Sequence, residues 1–190
     1  FSEIMGNYGI TQDTRDRAFM PTSGSIISFN QGIPIIADKR ALANTFKATK
    51  YKSFTDDIVG AGKIYLTAIN GLGEDDVRLS KRTGLSTRRL RGFEKNKVGP
   101  VDGSEHIGGN YAAALNFEAT LPNLLPEAYR TDVGFFLDFG NVWGVDYDST
   151  INESNEIRSS TGIAASWISP LGPMTFTFST NLSKASTDET

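Results

Sequence analysis

Hydrophobic and polar residues alternate along much of this chain, with the two-residue period of a β-strand that has one apolar and one polar face. The alternation is clear in residues 109–121. Leu115 and Phe117 fall on one face of this segment, and Asn116 and Glu118 fall on the other. A helix would instead repeat its apolar positions every three or four residues. This segment is therefore predicted to be a strand.

Two later segments repeat the alternation. The apolar positions of the first segment are Val133, Phe135, Leu137 and Phe139. Phe136 is the exception, because it is an aromatic residue among polar positions that include Asp138. Residues 174–182 alternate more regularly, with Phe176 and Phe178 on the apolar face. Both segments are predicted to be strands.

Noisier alternation, bounded by clusters of Pro, Gly, Asp or Asn that favour turns, marks five more predicted strands. They cover residues 4–15, 25–33, 40–54, 58–71 and 157–168. Short connections are predicted at residues 17–24, 55–57, 122–129 and 169–173, and long ones at 72–108 and 144–156. The sequence thus predicts an all-β antiparallel meander of about eight strands, with the unequal connections that are typical of outer-membrane barrels.

The same alternation also describes a half-buried sheet in a soluble β-sandwich or a lipocalin-like barrel. Three features favour a membrane barrel: strands longer than the usual ~5 or 6 residues, the regular loop asymmetry, and charges in the middle of the polar faces. Those charges are Lys63, Glu118 and Asp138. Trp143 and Trp167 lie near predicted strand ends, as in an interfacial aromatic belt. No apolar run approaches the ~18 to 20 residues of a membrane-spanning helix.

Composition excludes several kinds of site. The chain has no cysteine and a single histidine, His106, so a disulfide, a cysteine nucleophile and a histidine metal cluster are excluded. Asp146, Asp148 and Asn152 resemble part of a calcium loop. Ile151 stands where the tight turn of such a loop needs glycine, which favours an acidic external loop. We therefore expect no catalytic residue, no metal site and no cofactor.

Charge is distributed unevenly along the chain. The net charge is −3, which does not favour nucleic acid as a partner. Residues 78–97 nevertheless carry eight Lys or Arg and one acid, Glu94. Most of these charges fit a solvated surface, with a patch for anionic lipid or nucleic acid as the alternative. They lie in the long connection at 72–108, and an irregular loop of that length between strong strand patterns is usually functional.

Arg91 is the charged residue of the loop for which the sequence predicts specific partners. Gly92 permits a backbone turn after it, and Phe93 can anchor that turn by packing. If the tip folds inward, Arg91 needs carboxylate partners. The alternation places Glu118 and Asp138 on the polar faces of the next two strands. Arginine binds carboxylates through paired, charge-assisted hydrogen bonds that lysine does not reproduce.

Four motifs in the second half of the chain resemble the BamA family, the outer-membrane protein assembly factors. They are Leu90-Arg91-Gly92-Phe93, then Gly108-Gly109-Asn110 with Glu118, residues 135–143 (FFLDFGNVW) and residues 167–173 (WISPLGP). Residues 1–71 match the family only in general pattern. The family more often has Val or Ile where Leu90 stands, which is a conservative difference.

This resemblance implies a fold and a site. It implies a 16-stranded transmembrane β-barrel in the bacterial outer membrane. Residues 1–190 are expected to be a partial barrel domain, a fragment that lacks the first strands and the closing strand. The long external loop at 72–108 is expected to fold into the lumen. Arg91 would then be the tip of that loop, with Glu118 and Asp138 as its luminal partners.

The resemblance also implies a function, namely the assembly and insertion of β-barrel proteins into the outer membrane of Gram-negative bacteria. Family members open a seam at which a client strand pairs, so no enzyme activity is expected. The implied partners are unfolded outer-membrane protein clients, outer-membrane lipids and the lipoproteins of the assembly machinery. Two alternatives stay open: a polypeptide secretion transporter of the same family, and a passive porin or receptor barrel whose basic loop would select anions.

Overall fold

Eight long strands form one antiparallel sheet. The computed structural model describes residues 3–151, 153 and 155–190. In chain order the strands are β1 (Glu3–Asp13), β2 (Gly24–Ala37), β3 (Ala41–Thr55), β4 (Ile58–Gly71), β5 (Val101–Asp102), β6 (Glu105–His106), β7 (Tyr111–Leu121), β8 (Thr131–Trp143), β9 (Arg158–Ser169) and β10 (Gly172–Ser183). The sheet order is β1-β2-β3-β4-β7-β8-β9-β10, while β5 and β6 form a separate small hairpin. Within the described residues β1 and β10 are edge strands, so the sheet is not closed.

The predicted all-β antiparallel meander is confirmed, and the strands begin and end close to their predicted bounds. The main difference is β2, which continues past its predicted end at residue 33 through Pro34. The pairing of β1 with β2 shifts between Ile4 and Met5, so Ile35 is left as an extra residue. Such a β-bulge is one of the few places where a strand accepts proline.

Helical structure is limited to short turns. Two single 3-10 turns, Leu79–Lys81 and Glu127–Tyr129, lie in connections and were not predicted from the sequence. Across the described ranges, no helical segment is long and apolar enough to cross a membrane.

The two faces of the sheet carry different residues. On β7, Ala112, Ala114 and Asn116 are buried beneath the long loop, and we refer to this side of the sheet as the loop-covered face. The alternate residues form an apolar outer face. Its exposed members include Leu115, Phe117, Phe135, Phe176 and Phe178. A soluble protein rarely leaves a contiguous face of this kind uncovered, whereas a membrane barrel presents one to lipid.

Successive antiparallel strands turn at alternate ends of the sheet, so the two longest connections lie at the same end, although the short connection at 38–40 lies there too. Residues 38–40, 72–110, 144–157 and 184–190 leave the sheet at one end, the loop end. Residues 14–23, 56–57, 122–130 and 170–171 lie at the opposite end. The long loop therefore starts at the loop end and reaches back over the sheet, which brings its tip to the middle of β7 and β8.

Candidate functional site

The tip of the long loop is anchored by apolar packing. Leu90 and Phe93 are 1% and 4% exposed. They belong to a buried cluster whose members are Leu85, Leu90, Phe93, Val98, Ala112, Ala114 and Val142. Small side chains on the sheet make room for the loop: a Cβ on Gly140 would lie 2.8 Å from the Leu85 side chain. The loop is therefore packed as a core element and not solvated as a surface segment.

Arg91 and Asp138 form a bidentate ion pair. The Arg91 Nε and Nη2 atoms donate to Asp138 Oδ2 and Oδ1 at 2.7 and 2.6 Å, and the Arg91 backbone N–H donates to Oδ2 at 3.1 Å. The Asp138 side chain is fully buried and the Arg91 side chain is 12% exposed. A buried carboxylate is costly unless its oxygens are paired and hydrogen-bonded, and these three donors meet that requirement.

Asn116 supplies a fourth donor to Asp138. Its Nδ2 atom donates to Asp138 Oδ1 and to the Arg89 carbonyl, both at 2.8 Å. Asn116 and Asp138 are direct partners in the pairing of β7 with β8. Asn116 thus fixes both the carboxylate and the backbone of the loop just before the tip. The sequence analysis assigned it no role, although its position on the polar face of β7 was the available signal.

Glu118 is the second carboxylate at Arg91. Arg91 Nη1 lies 2.9 Å from Glu118 Oε1, and Lys63 Nζ lies 2.6 Å from the other oxygen, Oε2. Lys63 and Glu118 come from the adjacent strands β4 and β7. Opposite charges therefore follow one another in the order Lys63, Glu118, Arg91, Asp138. This row of alternating charges places each buried charge beside a charge of opposite sign.

Aromatic rings lie against two of the loop arginines. The guanidinium carbon of Arg91 is 3.7 Å from the centroid of the Phe136 ring. The guanidinium carbon of Arg89 is 3.5 Å from the centroid of the Tyr65 ring. A planar cation over an aromatic face is attracted by the ring quadrupole, more strongly when water is excluded. Phe136 was noted in the sequence only as an exception to the alternation, and this contact explains its position.

Gly92 brings the tip against the edge strand β10. Its φ is +85°, in the region that favours glycine. A Cβ at this position would overlap Asn181 Oδ1 and would lie 3.1 Å from Ser179 Oγ. Gly92 is therefore required both by its backbone conformation and by its close approach to β10.

The structure thus brings together all six residues that the sequence analysis selected, Leu90, Arg91, Gly92, Phe93, Glu118 and Asp138. Their arrangement positions a loop by charge pairing and packing, and it contains no nucleophile with a neighbouring base.

Asp146 has a structural role in the loop region. It accepts hydrogen bonds from Val77 N–H, Arg82 Nη2 and Asn110 Nδ2 at 2.8 to 2.9 Å, and so ties the start of the long loop to the 144–157 connection. Burial raises the pKa of Asp146, but these hydrogen bonds and the charge of Arg82 outweigh it, so the pKa lies below its ordinary value. Asn152 is outside the described residues. Among those that are described, no three acidic or histidine side chains are grouped as a metal site.

Comparison with known proteins gives the family. The model of the Omp85 superfamily domain matches residues 1–190. The outer membrane protein assembly factor BamA of Neorickettsia risticii is 30% identical over 176 residues, which cover 87% of this chain and 23% of that protein. BamA of Neisseria meningitidis is 27% identical over 97% of this chain and 27% of its own length. The chain spans about a quarter of the length of these relatives, at 23% and 27%.

A solved structure shares the fold. The crystal structure of BamA from Haemophilus ducreyi lacking POTRA domains 1-3 superposes with a TM-score of 0.86, at 22% sequence identity, over 96% of this chain and 40% of that one. The eight-stranded meander of this chain therefore matches part of the BamA barrel. Together with the match of the family model over the whole chain, this leads to one conclusion: the chain belongs to the Omp85 superfamily.

Proposed function

We propose that this chain is part of a barrel that assembles and inserts β-barrel proteins in the bacterial outer membrane. One observation carries the proposal. The Arg91 tip of the long loop is held by Asp138 and Glu118 on an Omp85 sheet whose relatives are named as assembly factors. Lipids of the outer membrane, unfolded outer-membrane proteins and the lipoproteins of an assembly machinery are the partners that this function requires.

In this proposal the eight strands are half of a 16-stranded barrel. The loop-covered face lines a water-filled lumen, and the apolar outer face contacts lipid. The charges of Lys63, Glu118 and Asp138 support this orientation, because they share the face opposite Phe117 and Phe178. Trp143 and Trp167 support it as well, since they lie near opposite ends of the sheet, where interfacial aromatics are enriched.

The proposed mechanism needs no bond chemistry, so the protein is not an enzyme, and it needs no cofactor, metal or nucleic acid. An unfolded strand in a bilayer must satisfy its backbone hydrogen bonds, and an exposed strand edge offers them by β-augmentation. A barrel that opens at one edge needs a wall that keeps its shape elsewhere. The packed loop tip supports that wall because Arg91 binds Glu118 of β7 and Asp138 of β8, and Gly92 lies against Asn181 of β10. The ion pair between Lys63 and Glu118 connects β4 to the same site.

The function is tested with the full-length protein that contains this chain, reconstituted in lipid vesicles. The measurement is the rate at which an unfolded outer-membrane protein acquires its heat-resistant folded form. We expect acceleration by the parent protein and a clear loss with Arg91→Glu. The matched control is Arg88→Glu, the same change at an exposed neighbour.

Other results would contradict the proposal. Vesicles with steady anion-selective conductance and no acceleration of folding would favour a passive porin. Translocation of an extended polypeptide across the vesicle membrane, again without acceleration of folding, would favour a secretion transporter.

A further inference from the structure

A second buried arginine–aspartate pair lies at the loop end of the sheet. Arg158 Nε and Nη2 each lie 2.8 Å from an oxygen of Asp188, and both side chains are fully buried. The two residues are 30 positions apart, because Arg158 is the first residue of β9 and Asp188 follows β10. Burying two charges is unfavourable unless the geometry is excellent and the remaining donors are satisfied. This pair therefore marks a contact that the fold specifies closely.

The Arg158 guanidinium also donates hydrogen bonds to two neighbouring segments. Its Nη1 atom donates to Asn141 Oδ1 at 2.6 Å and to the Glu156 carbonyl at 2.8 Å. Asn141 belongs to β8, and Glu156 lies at the end of the 144–157 connection. One side chain thus joins β8, that connection and the residues after β10.

Asp188 is held in place by its own segment. One of its oxygens accepts the Ala185 backbone N–H at 2.7 Å, and the Asp188 N–H donates to the Ala185 carbonyl at 3.2 Å. This turn presents the carboxylate to Arg158, and Ala185 is itself buried. Residues 184–190 are therefore folded against the sheet, and we call them the latch segment.

The latch segment also binds the long loop. The Glu94 N–H donates to the Glu189 carbonyl at 3.0 Å, and the Glu189 N–H donates to the Lys97 carbonyl at 3.2 Å. Lys97 Nζ lies 2.8 Å from Glu189 Oε1. His106 Nε2 lies 2.9 Å from the Thr187 carbonyl oxygen. Two main-chain hydrogen bonds and an ion pair thus connect residues 94–97 of the long loop to the segment that follows β10.

We propose that the latch segment is a second attachment of the long loop, in which Asp188 acts as a positioning residue by fixing the segment to Arg158. The tip and the latch hold the loop at two separate places, and both contact β10 or the residues directly after it. Gly92 packs on Ser179 and Asn181, and Glu94 binds Glu189. The loop therefore clamps the end of β10, which is one of the two edge strands among the described residues. A role of this clamp in barrel assembly rests on the proposed function, whereas the contacts that form the clamp do not depend on it.

The test is hydrogen–deuterium exchange on the full-length protein in lipid, with Asp188→Asn. This change keeps the shape of the side chain and removes its charge. We expect the Glu94 and Glu189 amides to exchange at least about tenfold faster, while the Arg91 amide, bound to Asp138, changes less than about twofold. The control is Asp148→Asn, the same change at a carboxylate whose hydrogen bonds stay within its own connection, at Thr150. It should leave all three amides unchanged.

Two results would overturn the proposal. One is unchanged exchange at Glu94 and Glu189 in Asp188→Asn. The other is equal acceleration at Arg91, because the loop would then have a single attachment. If Asp188→Asn does not fold, Glu189→Gln replaces it: this exposed change removes the negative charge that faces Lys97 Nζ and, at 3.6 Å, His106 Nδ1, and it should still accelerate exchange at Glu94. A parent protein that fails to speed client folding would refute the proposed function, while the exchange results would still decide the clamp.

Discussion

The central carbon of the Arg91 guanidinium lies over the Phe136 ring, 3.7 Å from the ring centroid. Phe136 is the direct partner of Glu118 in the pairing of β7 with β8. The ring therefore covers one face of the cation while Glu118 and Asp138 bind its edges. This combination selects arginine, because lysine has neither a planar face nor a fork of donors.

Reversal of the Arg91 charge should detach the loop tip. In Arg91→Glu the buried Asp138 loses its counter-charge and gains a like charge, so we expect a cost of about 3 to 5 kcal/mol. The measurement is the rate of tryptic cleavage after Arg88 and Arg89, which precede the tip and lie outside the residues that the latch segment holds, and this rate should rise steeply. A cleavage rate equal to that of the parent would contradict the assignment of Arg91 as the anchor.

Reversal of Glu118 as well should recover only part of this loss. The double variant Arg91→Glu with Glu118→Arg restores an opposite-charge pair, and coupled residues of this kind do not behave additively. Lys63 limits the recovery, because its Nζ lies 2.6 Å from the present Glu118 carboxylate and would face the new arginine. Complete recovery of slow cleavage would show that Lys63 contributes nothing to the site.

The contribution of the aromatic contact to holding the loop tip should be measurable separately from that of the charges. Phe136→Leu keeps an apolar side chain but removes the ring quadrupole, and we expect the loop tip to lose about 0.5 to 2 kcal/mol. Phe135→Leu is the matched control, since Phe135 is 55% exposed on the apolar outer face. Protease susceptibility of the loop is the readout, and an equal effect of both substitutions would rule out a specific role for the ring.

Gly92 should not tolerate a side chain. Gly92→Ala combines an unfavourable φ with overlap at Asn181, and we expect a destabilisation of more than about 1 kcal/mol. Gly62→Ala is the control, because a Cβ there meets nothing within 4 Å. Thermal unfolding of the two variants in the same detergent gives the comparison. Equal midpoints would mean that the tip is free to move away from β10.

Acid should release the start of the long loop through Asp146. Its folded pKa is lowered, so its contribution to stability is fully present above the unfolded value of about 3.9 and is lost as the pH falls through the lower folded value. An acid-active protease should therefore cut residues 72–83 faster at low pH. Asp146→Asn should remove most of this pH dependence, whereas Asp148→Asn should preserve it. Identical pH profiles for parent and Asp146→Asn would contradict the role of the carboxylate.

The two sides of β10 should face different solvents. The chain has no cysteine, so single cysteines can be placed without background from it. Phe178→Cys, at a side chain that is now 77% exposed, should react with a lipid-soluble label. Thr177→Cys, on the opposite face, should react with a water-soluble one. The reverse pattern would exclude a lipid-facing outer surface.

The sequence determined the strands because alternation is a local property. Leu115, Phe117, Asn116 and Glu118 show their faces without reference to any other part of the chain. The carboxylates at Glu118 and Asp138 could be matched to Arg91 for the same reason: parity along a strand specifies the face. The end of β2 was missed, since the bulge that accommodates Pro34 depends on the pairing with β1.

Only the tertiary structure decided which side chains meet across the sheet and the loops. The contact of Asn116 with Asp138 depends on the strand register, and the contact of Phe136 with Arg91 also depends on the path of the loop. Asp188 has no distinctive sequence context, yet it pairs with Arg158 across the open end of the β9–β10 hairpin. These three contacts join residues that are 22, 30 and 45 positions apart, and such pairs arise from the packing of the whole chain. The local sequence pattern specifies the face of the sheet on which a residue lies, whereas the fold of the whole chain determines which residue it contacts.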